Sequence, residues 1–142
     1  MRVTRLIVAV GWVVSVACAG DGTGLDEVQQ EEGPPTLTDV QTILTGNCAV
    51  SGCHTGANPA QGMNLGAGQT FSNVVNVASR ELPSMNRVTP NEPDMSYLVH
   101  KIQGTHVGAG GSGSQMPLGR SPLSRDEIDL IRAWIEGGAL PN

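Results

Sequence analysis

Cys48, Cys53 and His54 are the residues of this chain whose types and spacing suit them to a chemical role. They lie in "NCAVSGCHTG", residues 47–56, with four residues between the cysteines and the histidine directly after the second. A Cys…Cys-His run can attach haem: thioether bonds join the two sulfurs to the haem vinyl groups, and the following imidazole reaches the iron from one face. The usual spacing of two residues puts all three groups on one side of a helical turn. Here the two cysteines would lie about 140° apart on a regular helix. The segment must leave helical geometry, and Gly52 can take the backbone conformation that such a bulge needs.

Three other chemistries compete for the same residues. A Cys48–Cys53 disulfide would close a small loop. A zinc site would have only three ligands here, and a second Cys-His group is missing. A Cys-His nucleophilic pair is the weakest, because adjacent residues rarely point at each other and no third group orients them. A haem that moves electrons takes a second axial ligand, commonly methionine, which raises the potential. Met116 in "SGSQMPLG" stands in a glycine-rich loop, before Pro117 and 62 residues beyond His54. Met63, Met85 and Met95 lack that setting. His100 and His106 are rival ligands. The first falls on a predicted helix, and the second lies in the same loop as Met116, which makes it the more serious rival.

The elements that must position these groups are helices. "TLTDVQTILTGN" offers Thr38 and Gln41 as a capping box, Val40, Ile43 and Leu44 on one face, and Asn47 as a stop. "TFSNVVNVAS", 70–79, reads as a short helix holding Phe71, Val74 and Val75. "PDMSYLVHKIQG" starts at Pro93, carries Tyr97, Leu98 and Ile102 on its apolar side and stops at Gly104. "LSRDEIDLIRAWIEGGA" is the clearest helix: Ser124 and Glu127 form a capping box, and Asp126 and Glu127 sit at the positive end of the dipole. Ile128, Ile131, Trp134 and Ile135 form its buried stripe, Leu130 stands beside Trp134, and Gly137 and Gly138 end it. No segment alternates as a strand. The expectation is a small all-α domain, residues 36–142, of three or four short helices joined by long glycine-rich loops. Loops of that length in a compact domain usually serve a site. Phe71, Tyr97 and Trp134 are the aromatic residues of that region, so its core is thin and an apolar cofactor would help to fill it.

"GNCAVSGCHTGANPAQGMNLG", "RVTPNEPDMSYLVHKIQGTH", "GSQMP" and "LSRDEIDLIRAWIEGGA", in that order, resemble the cytochrome c-like domains of planctomycete and myxobacterial exported proteins. These are relatives of the class I cytochrome c fold. The resemblance covers about residues 37–140. It implies an all-α domain with crossing N- and C-terminal helices around one covalently bound haem c. Cys48 and Cys53 would anchor the haem, with His54 and Met116 as axial ligands. It further implies single-electron transfer with redox partner proteins. With both axial positions filled, the domain alone would be a carrier and not an enzyme. The spacing of four departs from the family's usual motif. The alternative is a haem-free exported lipoprotein, a binding or structural module closed by a Cys48–Cys53 disulfide. A haem enzyme with an open sixth position is a third reading.

Ahead of that domain, residues 1–17, "MRVTRLIVAVGWVVSVA", read as a secretory signal: Arg2 and Arg5 precede an apolar run of about 12 residues, where ~20 are needed to span a bilayer. "SVAC" resembles a bacterial lipobox with Cys18 as the lipidated residue, whereas "ACA" would suit ordinary cleavage after Ala19. Residues 18–35 are acidic and aperiodic and read as a disordered tether, with a reach of roughly 20–25 Å from a membrane. The expected location is thus the exported side of a membrane, through a lipid anchor. Without the two signal arginines, 6 Lys and Arg stand against 13 Asp and Glu, a net charge of −7. Five of those acids lie in the tether. No basic patch argues for a nucleic-acid partner.

Overall fold

The first helix, α1 (Leu37–Asn47), begins at a reciprocal cap between Thr36 and Asp39. A computed structural model describes residues 33–142; the segment 1–17, Cys18 and the tether as far as residue 32 lie outside the described residues. Asp39 accepts from the Thr36 N–H at 2.8 Å and from its hydroxyl at 2.6 Å, while the Asp39 N–H donates to the Thr36 hydroxyl oxygen at 3.3 Å. The capping box expected at Thr38 and Gln41 does not form. A charged carboxylate at the third helical position of the earlier frame accepts more strongly than the Gln41 amide would. Gln41 instead donates to Thr45 Oγ1 and to the Leu65 carbonyl and accepts from Thr70 Oγ1, which ties the helix to the 65–70 loop.

The second helix, α2 (Thr70–Val74), is shorter than the 70–79 expected. From Val75 onward the backbone finds partners in 85–88. The Arg87 N–H donates to Val77 O at 2.7 Å, Val88 N–H to Val74 O at 3.0 Å and Asn76 N–H to Val88 O at 2.9 Å. Asn76 takes a left-handed φ of 57°. Two isolated bridges result, Val75 with Val88 and Ala78 with Asn86. Pro93 opens a 3₁₀ turn (Pro93–Met95), and α3 (Tyr97–Gln103) follows it, ending at Gly104 with φ 76°. The last helix, α4 (Arg125–Glu136), has the expected Ser124–Glu127 capping box and closes at Gly137. The described residues thus contain four α-helices and no strand, in line with the small all-α domain expected.

Both α1 and α3 pack against α4. Val40, Leu44, Val99, Ile102, Ile131, Trp134 and Ile135 are fully buried between them, with Ile43, Ile128 and Leu130 packed at the margin. The Trp134 indole N–H donates to Leu140 O at 2.9 Å, and the Leu37 N–H to Asn142 O at 3.1 Å, so the chain's end closes over the start of α1. No described helix is long and apolar enough to cross a membrane.

Leu44→Ala is expected to cost ~2–5 kcal/mol in urea unfolding, because the site is wholly enclosed and cannot collapse cheaply. The cap is expected to be pH-dependent. Its hydrogen bonds to Thr36 hold the Asp39 carboxyl below its usual value of 3.8. That stabilisation is complete above pH 3.8 and is lost as pH falls through the folded value. Asp39→Asn should therefore lower the urea midpoint at pH 7, and the gap to the unaltered protein should close on acidification below 3.8.

Candidate functional site

Cys48 follows α1 as its C-cap, and the chain turns there rather than continuing. The N–H groups of Cys48 and Ala49 both donate to Leu44 O at 2.8 Å. A tight turn then carries the Cys53 N–H to Val50 O at 3.0 Å. Within it Gly52 adopts φ 81°, the left-handed conformation that its lack of a Cβ permits. The His54 N–H returns to Cys48 O at 3.2 Å and closes the segment. The two residues beyond the usual spacing are thereby absorbed in the turn, and Cys48, Cys53 and His54 line one cavity. Met116 lines the same cavity from a distant stretch of chain, with its N–H donating to Lys101 O at 3.0 Å.

The cavity is open at its mouth and has a volume of about 160 Å³, and its walls are mainly apolar, with Leu65, Leu98, Ile102 and Pro117 among them. His54 is 6% exposed, and its Nδ1 stands 3.3 Å from Met63 O. Assigning the ring proton by that contact puts N–H on Nδ1 and leaves Nε2 as the free lone pair. Burial lowers the His54 pKa, only partly opposed by the carbonyls of Met63 and Ala60. The neutral, ligating form of the ring is therefore favoured. Burial also raises the Cys48 thiol to about 11, against the nearby Arg120 charge. At neutral pH Cys48 is thus a thiol and neither a nucleophile nor a thiolate ligand. Both cysteines are free, Cys48 buried and Cys53 half-buried.

Neither rival histidine lines the cavity. His106 is buried, its Nε2 3.1 Å from Gly113 O, and its Nδ1 has no partner among the described residues. His100 bridges Thr105 Oγ1 at 2.8 Å and Asp94 O at 3.0 Å. Of the other methionines, Met63 also lines the cavity, from the loop whose carbonyl holds His54; Met85 and Met95 do not. Among the described residues no three His, Cys, Asp or Glu side chains group to hold a metal ion.

One wall of the cavity had no motif to announce it. Lys101 Nζ donates to Glu81 Oε2 at 2.8 Å and to Ser112 O at 3.2 Å, and the Tyr97 hydroxyl donates to Glu81 Oε2 at 3.1 Å. Burial raises the Tyr97 pKa. The i, i+4 spacing of Tyr97 and Lys101 on α3 was the available signal, but Glu81 is supplied by a loop with no periodicity. Buried Arg87 was equally invisible. Compared with protein-family models, curated proteins and solved structures, the chain matches none.

In the reduced chain free of any bound group, a thiol-alkylating reagent at pH 8 is expected to label Cys53 well before Cys48, as read by peptide mass spectrometry. Equal rates would mean that Cys48 is not enclosed as described.

Proposed function

We propose that residues 36–142 form a mono-haem c-type cytochrome domain that passes single electrons between redox partner proteins. The chain would be exported and held at a membrane through lipidated Cys18. Cys48 and Cys53 would carry the haem covalently, with His54 and Met116 as the axial donors. The observation that carries this proposal is one apolar cavity lined by all four side chains, although Met116 lies 62 residues beyond His54. The chemistry of the group fits what surrounds it. A large flat apolar body suits apolar walls, a thioether and a neutral imidazole are iron donors, and two thiols line the same cavity.

Bound there, haem supplies a reversible one-electron couple. The chain's own residues set its conditions. The Met63 carbonyl orients the His54 ring and keeps its proton on Nδ1, so Nε2 is available without a proton having to leave. The Lys101 carbonyl holds the Met116 backbone in place. Leu65, Leu98 and Ile102 keep water from that side of the cavity. With both axial donors provided by the chain, no position is left for a substrate, and the domain is a carrier and not an enzyme.

Protein made in a host with haem-attachment machinery is expected to keep a haem-stained band on a denaturing gel and to show the visible spectrum of a c-type cytochrome. A mass equal to the bare polypeptide less two hydrogens would instead establish the haem-free, disulfide-closed module. Met116→Ala is expected to lower the potential and to let carbon monoxide bind the reduced protein, while His106→Ala does neither. Ready carbon monoxide binding by the unaltered protein would move the assignment to a haem enzyme or ligand sensor.

A further inference from the structure

Gln61 and Gly62 form a turn in which both residues are left-handed, with φ 54° and 58°. Glycine takes that conformation freely, whereas the Cβ of Gln61 opposes it. The Gln61 side chain is exposed and gives no local reason for the choice. A backbone of this kind persists where its surroundings over-determine it. The turn leads into Met63, whose carbonyl stands 3.3 Å from Nδ1 of His54.

The group that holds the turn comes from a distant stretch of chain. Arg87 is 7% exposed, and its guanidinium meets the carbonyls of both turn residues: Nη2 donates to Gln61 O at 2.8 Å and Nη1 to Gly62 O at 3.4 Å. Nη1 also donates to Asn73 O at 2.7 Å, near the end of α2. The backbone of Arg87 is itself fixed. Its N–H donates to Val77 O at 2.7 Å, and its carbonyl accepts from the Leu98 N–H at 2.9 Å, at the start of α3. A buried guanidinium keeps its charge, and no carboxylate partners it among the described residues. Such a charge needs its carbonyl acceptors. The arginine therefore fixes the turn, and the turn solvates the arginine.

The second tie lies on the other side of Met63. Its carbonyl shares a peptide unit with the Asn64 N–H, which donates to Asn73 Oδ1 at 3.1 Å. Asn73 is the residue whose own carbonyl Arg87 holds. Arg87 thus reaches the Met63 peptide from both directions, through the turn before it and through Asn73 after it. The rest of the loop is pinned to the cysteine segment by backbone alone, Ala60 N–H to Cys53 O at 2.9 Å and Leu65 N–H to His54 O at 2.8 Å.

We infer that Arg87 is a positioning residue for His54: by clamping Gln61, Gly62 and Asn73 it aims the Met63 carbonyl at Nδ1, which keeps the ring proton there and leaves the Nε2 lone pair free. The hydrogen bond made by one ring nitrogen decides the state of the other. The use of Nε2 as an iron donor rests on the haem assignment; the control of the ring proton does not.

The test uses the full chain without haem, with isotope-labelled histidine ring nitrogens read by NMR at a pH where the ring is neutral. The two nitrogens differ in chemical shift according to which one holds the proton. His54 is assigned by the signal lost in His54→Gln. The unaltered protein is expected to show the Nδ1–H form alone. Arg87→Gln is expected to lose that single form and to show a mixture with Nε2–H. A folded Arg87→Gln that keeps the Nδ1–H form alone overturns the inference, because the arginine would then serve packing and nothing else. Should Arg87→Gln not fold, Arg87→Lys retains the buried charge and lacks the fork that spans separate carbonyls. A mixture in that variant supports the clamp, and the Nδ1–H form alone overturns it. An Nε2–H form in the unaltered protein overturns it without any variant. None of these readings involves haem, so they are independent of the haem-stained band that tests the attachment.

Discussion

The packing of α1 on α4 is the constraint from which the site hangs. Val40 and Leu44 on one side and Ile131, Trp134 and Ile135 on the other are fully buried, each stabilising the fold by ~1.5–3 kcal/mol relative to exposure. That contact fixes where α1 ends, and its end delivers Cys48 to the cavity. The same helix end anchors the opposite wall. Arg120 donates to the carbonyls of Gly46 and Asn47, which a helix's last turn leaves unpaired. The stretch that begins at Met116 is therefore tied to the place where the cysteine segment begins.

The cavity persists because the chain supplies walls and little filling. A region with three aromatic rings spends Trp134 on the interface of α4 and Tyr97 on a polar cluster with Glu81. Phe71 is only half-buried on α2. The ion pair of Glu81 and Lys101 contributes little net stability once desolvation is counted. Its role is geometric: Lys101 and Tyr97 both meet the Ser112 carbonyl and hold the glycine-rich loop against α3. Gly111 approaches the Tyr97 ring so closely that any side chain there would collide with it.

The helices were legible where local chemistry is self-sufficient. α4 carries a serine cap, a reciprocal glutamate, an apolar stripe and a glycine stop within one stretch, and it forms as that pattern dictates. The end of α3 at Gly104 was equally readable, since a left-handed residue costs least as glycine. Local reasoning failed where two answers compete. Thr38–Gln41 and Thr36–Asp39 are both plausible boxes, and the choice turned on Gln41 being wanted elsewhere, by Leu65 and Thr70. Helix α2 stops after Val74 because Arg87 and Val88 offer partners to its successors, and 85–88 are invisible to a window over 70–79.

For the site, the sequence by itself determined which groups are available. Two cysteines and a histidine lie within seven residues, a glycine sits at the one place the bulge needs it, and a methionine stands in a glycine-rich loop. Residue type and short spacing suffice for that, because they limit what a few peptide units can reach. Only the tertiary structure decided which of them meet. It put Met116 and not His106 on the cavity, set the Met63 carbonyl against Nδ1 of His54, and buried Arg87 with no carboxylate partner among the described residues. Each of these depends on contacts beyond the reach of a helix or turn, and the approach of Met116 to the cysteine segment is between stretches far apart in the chain.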